Sequence, residues 1–205
     1  MTLSTQLWSE NSDLASEALT HPFVCRLGDG SLAREIFAGY LAQDAFFLES
    51  SPAPTPWPLL TAPTHPRCSR WPICSPGYGR SSDCTPPTPP GGASTWPASS
   101  LHRRPWPTEF LLATAATGGV GMVFAAMTPC MRLYAWLGAA LDAGAAGPYA
   151  QWVQTYADPS FEALASRLER LLDEHADDRP AVRAAYRRAM HLELAFFDAA
   201  LLPSG

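Results

Sequence analysis

Proline is distributed so unevenly along this chain that it decides where helices can form. Of the 21 prolines, 15 fall in residues 51–107. Inside a helix each one removes a backbone donor and clashes with the preceding turn, at a cost of roughly 3 kcal/mol. As written, this 57-residue stretch excludes helix, and it is long for a connection inside one domain. It also holds four of the seven tryptophans, three of the five cysteines and a single acid, Asp83. That is not the make-up of an ordinary Pro-rich linker.

Each of those tryptophans is followed by proline: Trp57-Pro58, Trp71-Pro72, Trp96-Pro97 and Trp106-Pro107. Trp8, Trp136 and Trp152 are not. Tryptophan is encoded by TGG, and proline codons begin CC. Read one base earlier, TGG-CC becomes xTG-GCC, a Leu, Val or Met followed by Ala, which is a common helical pair. The same shift turns residues 51–58 into an Ala-rich string, with one Arg-like and one Tyr-like position, that continues the helix before it. Residues 51–107 therefore read as a frameshifted segment between compensating shifts near Ser50 and Pro107, standing where one or two helices belonged. A genuine disordered insertion is the alternative, and the nucleotide sequence decides between them.

The flanks read as helices. Residues 4–20 form an amphipathic pattern with Leu7, Trp8, Leu14, Ala15 and Leu19 on one side, ended by His21-Pro22-Phe23. Gly28-Asp29-Gly30 is a turn, and Ser31 is placed to cap a helix from Leu32 to about Glu49. Thr108 is placed to cap Glu109–Ala116, and Val120–Leu141 is the next helix. Pro148 opens a helix to about Ala157, with Tyr149 and Tyr156 seven apart on one face. Pro159 opens another to about His175, and Pro180 the last, to about Leu201.

Phe110 to Met131 is uncharged over 22 residues, long enough to span a bilayer. Its Thr117-Gly118-Gly119 and Gly121 fit two buried helices that meet there better than one membrane span. The start, MTLSTQLWSENSDL, lacks the basic end and apolar centre of a signal peptide. A net charge of −5 argues against a nucleic-acid binder. All 14 basic residues are Arg, as in a GC-rich coding sequence. Five cysteines with no CxxC spacing read as free thiols in a reducing compartment, with no zinc site.

Three residues stand out chemically. Cys130 follows Pro129 in an apolar helical run and shares a face with Tyr134. Pro129 kinks or starts a helix there, and a thiol at such a point is a nucleophile if its pKa is lowered. The other reading is a small core residue. Asp44, in LAQDAFFL, and Glu193, in HLELAFF, are acids in apolar company. Burial would make each costly unless paired or used, and would raise the pKa of Glu193 toward that of a proton donor. Each could instead sit at the rim of its stripe in contact with water.

HPFVCRLGDGSL (21–32), FAGYLAQDAFFL (37–48), TEFLLATA (108–115), AAMTPCMRLYAWLG (125–138), YAQWVQTYADPSF (149–161) and LELAFFDAA (192–200) resemble, in order and spacing, the blocks of the TenA/thiaminase II family. The resemblance covers roughly 1–50 and 108–202. It implies an all-α, haem-oxygenase-like bundle in one domain over 1–205, interrupted by 51–107. It implies a cytoplasmic homotetramer in thiamin salvage, needing no metal or organic cofactor and hydrolysing thiamin or its aminopyrimidine breakdown products. On this likeness Cys130 is the nucleophile and Glu193 the acid–base group. Asp44 holds the aminopyrimidine and helps activate the thiol, while Phe47, Tyr134 and Tyr156 line the ring. An electron-poor ring needs such a soft nucleophile, a pairing carboxylate and a second, protonatable acid.

Two departures are visible. Phe47 stands where the family often has Tyr, and Pro107 where it usually has a pocket Tyr. With the altered middle, they lead to the expectation that the polypeptide as written folds poorly or is inactive, while an in-frame parent is active. A non-catalytic helical scaffold or regulatory protein of the same fold is the competing reading. A di-metal oxidase would need more ligands than Glu174, His175, His191 and Glu193 supply.

Overall fold

The computed structural model describes residues 1–49 and 107–202, with the side chains of 43–49, 107–108 and 117 excepted. The proposed frameshifted segment thus lies outside the described residues but for its last residue, Pro107. Those residues form nine α-helices and no strand: α1 Leu3–Glu10, α2 Ser12–Thr20, α3 Pro22–Gly28, α4 Arg34–Glu49, α5 Pro107–Thr117, α6 Val120–Ala140, α7 Ala150–Ala157, α8 Pro159–His175 and α9 Pro180–Leu201. A 3₁₀ turn, Gly147–Tyr149, leads into α7.

Helix α6 is the axis. It packs against α5, α7, α8 and α9. Phe124, Ala125, Leu133, Tyr134 and Leu137 are among its buried side chains. It is apolar and long enough to cross a membrane, yet these residues are used inside the bundle. Residues 118–119 are non-helical and divide the uncharged run between α5 and α6, as the Thr/Gly cluster implied. Helix α6 runs through Pro129 rather than starting there. Proline leaves one carbonyl of the preceding turn without its usual donor. On the same turn the Thr128 hydroxyl donates to the Phe124 carbonyl at 2.7 Å.

Proline and carboxylate signals set the later helix starts. Pro159 and Pro180 occupy first-turn positions, where the missing donor is unused anyway. The Asp158 carboxylate accepts from the Ser160 backbone N–H at 2.8 Å and caps α8.

The N-terminal region departs from expectation three times. The helix read over 4–20 is broken at Asn11, whose side-chain amide donates to the Leu7 carbonyl at 2.8 Å. That bond competes with continued helix. A short helix, α3, follows Pro22 where a simple stop was expected; His21 caps it, its Nδ1 accepting from the Phe23 N–H at 3.2 Å. Ser31 does not cap α4. Its N–H donates to Asp29 Oδ1 at 2.9 Å, within the turn where Gly30 sits at φ +76°, and α4 starts at Arg34. Leu32 is diverted: its N–H donates to the Arg26 carbonyl at 2.9 Å, and its carbonyl accepts from the Tyr149 hydroxyl.

Candidate active site

The candidate site forms where α4, α6, α7 and α9 meet, and Tyr134 is its centre. One turn before it on α6 lies Cys130, half-buried and packed on the core. The Tyr134 ring is buried against Tyr156 (4.8 Å between centroids), Trp152 (5.8 Å) and Phe197 (6.1 Å). The Tyr40 hydroxyl on α4 donates to the Tyr134 hydroxyl at 3.1 Å, both groups buried. Burial, aided by the negative charge that Tyr40, Glu193, Cys130 and Tyr156 can carry, pushes the Tyr134 hydroxyl well above its ordinary pKa.

Glu193 is buried, at 8% exposure, one turn before Phe196 and Phe197 on α9. The choice left open by its sequence, between stripe and rim, falls to the stripe. Its charge bears on Tyr134, as does that of Cys130. Of the six residues singled out in the sequence, Tyr134 and Tyr156 are thus in ring contact, and the charges of Cys130 and Glu193 bear on the Tyr134 hydroxyl.

Asp44 and Phe47 lie on α4, whose backbone is described, but their side chains lie outside the described residues. Asp44 is one helical turn beyond Tyr40. Pro107 is the first residue of α5.

Tyr149 does not join this cluster. The 3₁₀ turn breaks the register with Tyr156, and the Tyr149 ring packs on Phe37 at 4.7 Å. Three contributors were absent from the sequence reading of the site: Tyr40, Trp152 and Phe161, whose ring meets Tyr156 edge-on at 4.9 Å. The i, i+4 spacing of Tyr40 and Asp44 was a usable signal for the first. Trp152 is buried beside the Tyr134 and Tyr156 rings, and among the described residues its indole N–H has no partner. Among the described residues no three His, Cys, Asp or Glu side chains gather as a metal site. His175 instead stacks on Phe124 at 5.6 Å.

Residues 107–202 match the model of the family described as TENA/THI-4/PQQC. That match covers a little under half of the chain. Similarity to named proteins extends further. This chain is 28% identical over 219 aligned residues, covering 95% of its length, to the thiamine biosynthesis multifunctional protein ThiED of Corynebacterium efficiens. It is 33% identical over 120 residues, 45% of the chain, to the mitochondrial bifunctional TH2 protein of Arabidopsis thaliana. The chain spans only 28% and 19% of the lengths of those relatives. A solved structure from Silicibacter sp., described as a TenA family transcription regulator, superposes with a TM-score of 0.67 at 20% identity, covering 97% of this chain and 96% of that one. The TenA-family fold, an all-helical haem-oxygenase-like bundle, is thus the fold of this chain.

Proposed function

We propose that the cluster around Tyr134 serves a Cys-dependent hydrolysis of aminopyrimidine compounds from thiamin breakdown, or of thiamin itself. The names of the relatives support a role in thiamin metabolism. What supports the finer reading is that a half-buried thiol one turn before Tyr134 and a buried carboxyl both bear electrostatically on that one buried tyrosine. A thiolate at Cys130 adds to an electron-poor ring carbon. The electrons it delivers expel the group on the ring's exocyclic methylene, and Glu193 protonates the departing amine. Water, deprotonated by the same carboxylate, then adds to the methylene, and the thiolate leaves. Asp44 pairs with the aminopyrimidine edge, and Phe47, Tyr134 and Tyr156 form the walls. The same reading makes the protein a cofactor-independent cytoplasmic homotetramer.

Residues 51–107 as written lower this activity relative to an in-frame parent. Release of ammonia from 4-amino-5-aminomethyl-2-methylpyrimidine tests both parts. The frame-restored chain turns over, the chain as written less, and Cys130→Ser lowers either rate by roughly a thousandfold or more, with helicity kept. Equal turnover in the Ser variant refutes the mechanism and leaves the non-catalytic, regulatory reading, which the description of the Silicibacter structure favours.

A further inference from the structure

His21-Pro22-Phe23 ends one helix and starts the next, and the His21 ring joins that junction to the end of α9. The residue is 8% exposed. Its Nδ1 accepts from the Phe23 N–H at 3.2 Å, and its Nε2 lies 3.1 Å from Asp198 Oδ1. A neutral imidazole has one bare nitrogen and one N–H. The backbone N–H aimed at Nδ1 makes that nitrogen the bare one, so Nε2 carries the proton and donates it to Asp198. The cap has much to do. Pro22 has no N–H, so Phe23 supplies the first donor of α3. A helix of seven residues is also marginal without help from outside.

Two aromatic rings hang on these two bonds. Phe23 stacks on Phe197 at 5.4 Å with 12° between the planes, and the His21 ring meets Phe197 at 5.7 Å. Phe23 also packs on Tyr40 at 4.9 Å, and Phe197 on Tyr134 at 6.1 Å. The stacked pair therefore backs both tyrosines of the candidate site.

We propose that His21 is a proton-sensitive clamp: neutral, it ties α3 to α9 and holds the Phe23–Phe197 stack; protonated, it releases α3 and the stack loosens. A proton added to the ring goes to Nδ1 and sets two N–H groups against each other across 3.2 Å. The buried Phe23 donor is then left without its acceptor. The ion pair gained with Asp198 returns little, because that side chain is 73% exposed and already accepts from the neutral ring. Among the described residues, Asp198 is the charged group in contact with the ring. Of the nearby titratable groups, Glu17 on α2 and Cys25 and Arg26 on α3 are exposed, and Glu193 on α9 bears on Tyr134. The clamp does not rest on the hydrolase reading.

Amide exchange of Phe23 in the full chain, as protection over the intrinsic rate, reads the cap. Histidine changes charge between about pH 5 and 8, so the comparison is between about pH 7.5 and about pH 5.5. Glu10, Asp13 and Asp178, held below their ordinary values, stay ionised over that range. Phe23 protection falls about two- to tenfold on acidification, the effect of one net hydrogen bond. The ring signals of Phe197 shift over the same step. In His21→Asn the amide oxygen caps α3 and does not titrate, so neither quantity changes with pH. Nitrogen NMR of the parent ring at the higher pH shows the proton on Nε2.

A proton found on Nδ1, Phe23 protection equal at both pH values, or a His21→Asn variant as pH-sensitive as the parent overturns the proposal. A response at Phe23 without one at Phe197 refutes the tie to α9. Should His21→Asn fail to fold, the parent alone decides, through its tautomer and its Phe23 protection. Turnover that survives Cys130→Ser sinks the hydrolase reading and leaves this inference standing.

Discussion

Gly138 lets α7 lie close enough to α6 for Tyr156 to reach Tyr134, and filling it should be expensive. A Cβ built there would come within 2.5 Å of the Ala157 backbone nitrogen and 2.8 Å of Tyr156 Cβ, and would also overlap the Tyr156 backbone. No rotamer change relieves a clash with backbone, so α7 must shift. Overpacking of this kind costs typically 1–3 kcal/mol, and the rigid partner puts it at the upper end, near 3. Against that, alanine gains about 1 kcal/mol of helix propensity over glycine. The balance for Gly138→Ala is a loss of about 2 kcal/mol. Gly39 on α4 supplies the control, since a Cβ there meets nothing within 4 Å. Gly39→Ala should therefore stabilise by about 1 kcal/mol. For a chain of this size the two melting temperatures should differ by roughly 6–12 °C, with the parent between them. Thermal unfolding followed by circular dichroism measures this. If Gly138→Ala melts at or above the parent, propensity has won, and the close approach of α6 and α7 is wrong.

Other seams make further predictions. Arg132 on α6 grips Glu169 through two bonds of 2.6 and 2.7 Å and reaches Glu162 at 2.8 Å, with its side chain only 15% exposed. Arg132→Ala leaves Glu169 part-buried and uncompensated, and should cost roughly 1–3 kcal/mol in urea unfolding, after allowance for its solvent contact. Asp173 accepts from both the Ser4 N–H (2.7 Å) and the Ser4 hydroxyl (2.9 Å) at the first turn of α1. Asp173→Ala should cost about 1 kcal/mol, and should speed amide exchange in α1 without touching α6. Acid should loosen the seam between the first two helices and the start of α9. Hydrogen bonds from Arg183 hold Glu10 and Asp178 below their ordinary 4.5 and 3.8, and Arg187 does the same for Asp13. Each carboxylate binds its proton more weakly when folded, so the stabilisation is present above those ordinary values and is lost as pH falls below them. Melting temperature should drop on acidification through that range, and Arg183→Gln should flatten the drop.

Helix positions were legible where the signal was a hard steric one. Pro159 and Pro180 fix φ and lack a donor, so they mark first turns, and α8 and α9 begin on them. Soft signals misled. Asn11 continues an amphipathic pattern, but its amide reaches back to Leu7 and ends the helix, a choice between two hydrogen bonds that periodicity does not encode. Ser31 looks like a cap, yet the demand of Tyr149 for the Leu32 carbonyl comes from 117 residues away. The site divides in the same way. Cys130 and Tyr134 follow from helix geometry alone. The burial of Glu193 does not, because an acid flanked by Leu and Phe lies at the edge of a stripe or within it depending on what packs opposite. Tyr40 lies in the block FAGYLAQDAFFL with no role assigned to it; its hydroxyl acquires meaning only when α4 meets α6.

One helix resolves what looked like two separate puzzles, an uncharged run fit for a membrane and a proline beside a thiol. A helix buried on nearly all sides must be apolar all round, and among the described residues α6 packs against α5, α7, α8 and α9. To let backbones approach it needs small residues, and it has them near both ends. Gly121 lies against His175 and Ala176 at the end of α8, and Gly138 lies against Tyr156 and Ala157 at the end of α7. Between these two contacts sits Pro129, inside the helix and buried. The close approach at Gly138 delivers Tyr156 to Tyr134, while the approach at Gly121 fixes the other end of the axis. The thiol one residue past the proline is therefore held on a helix anchored on both sides of it, which is how a chain would position the proposed nucleophile without a loop.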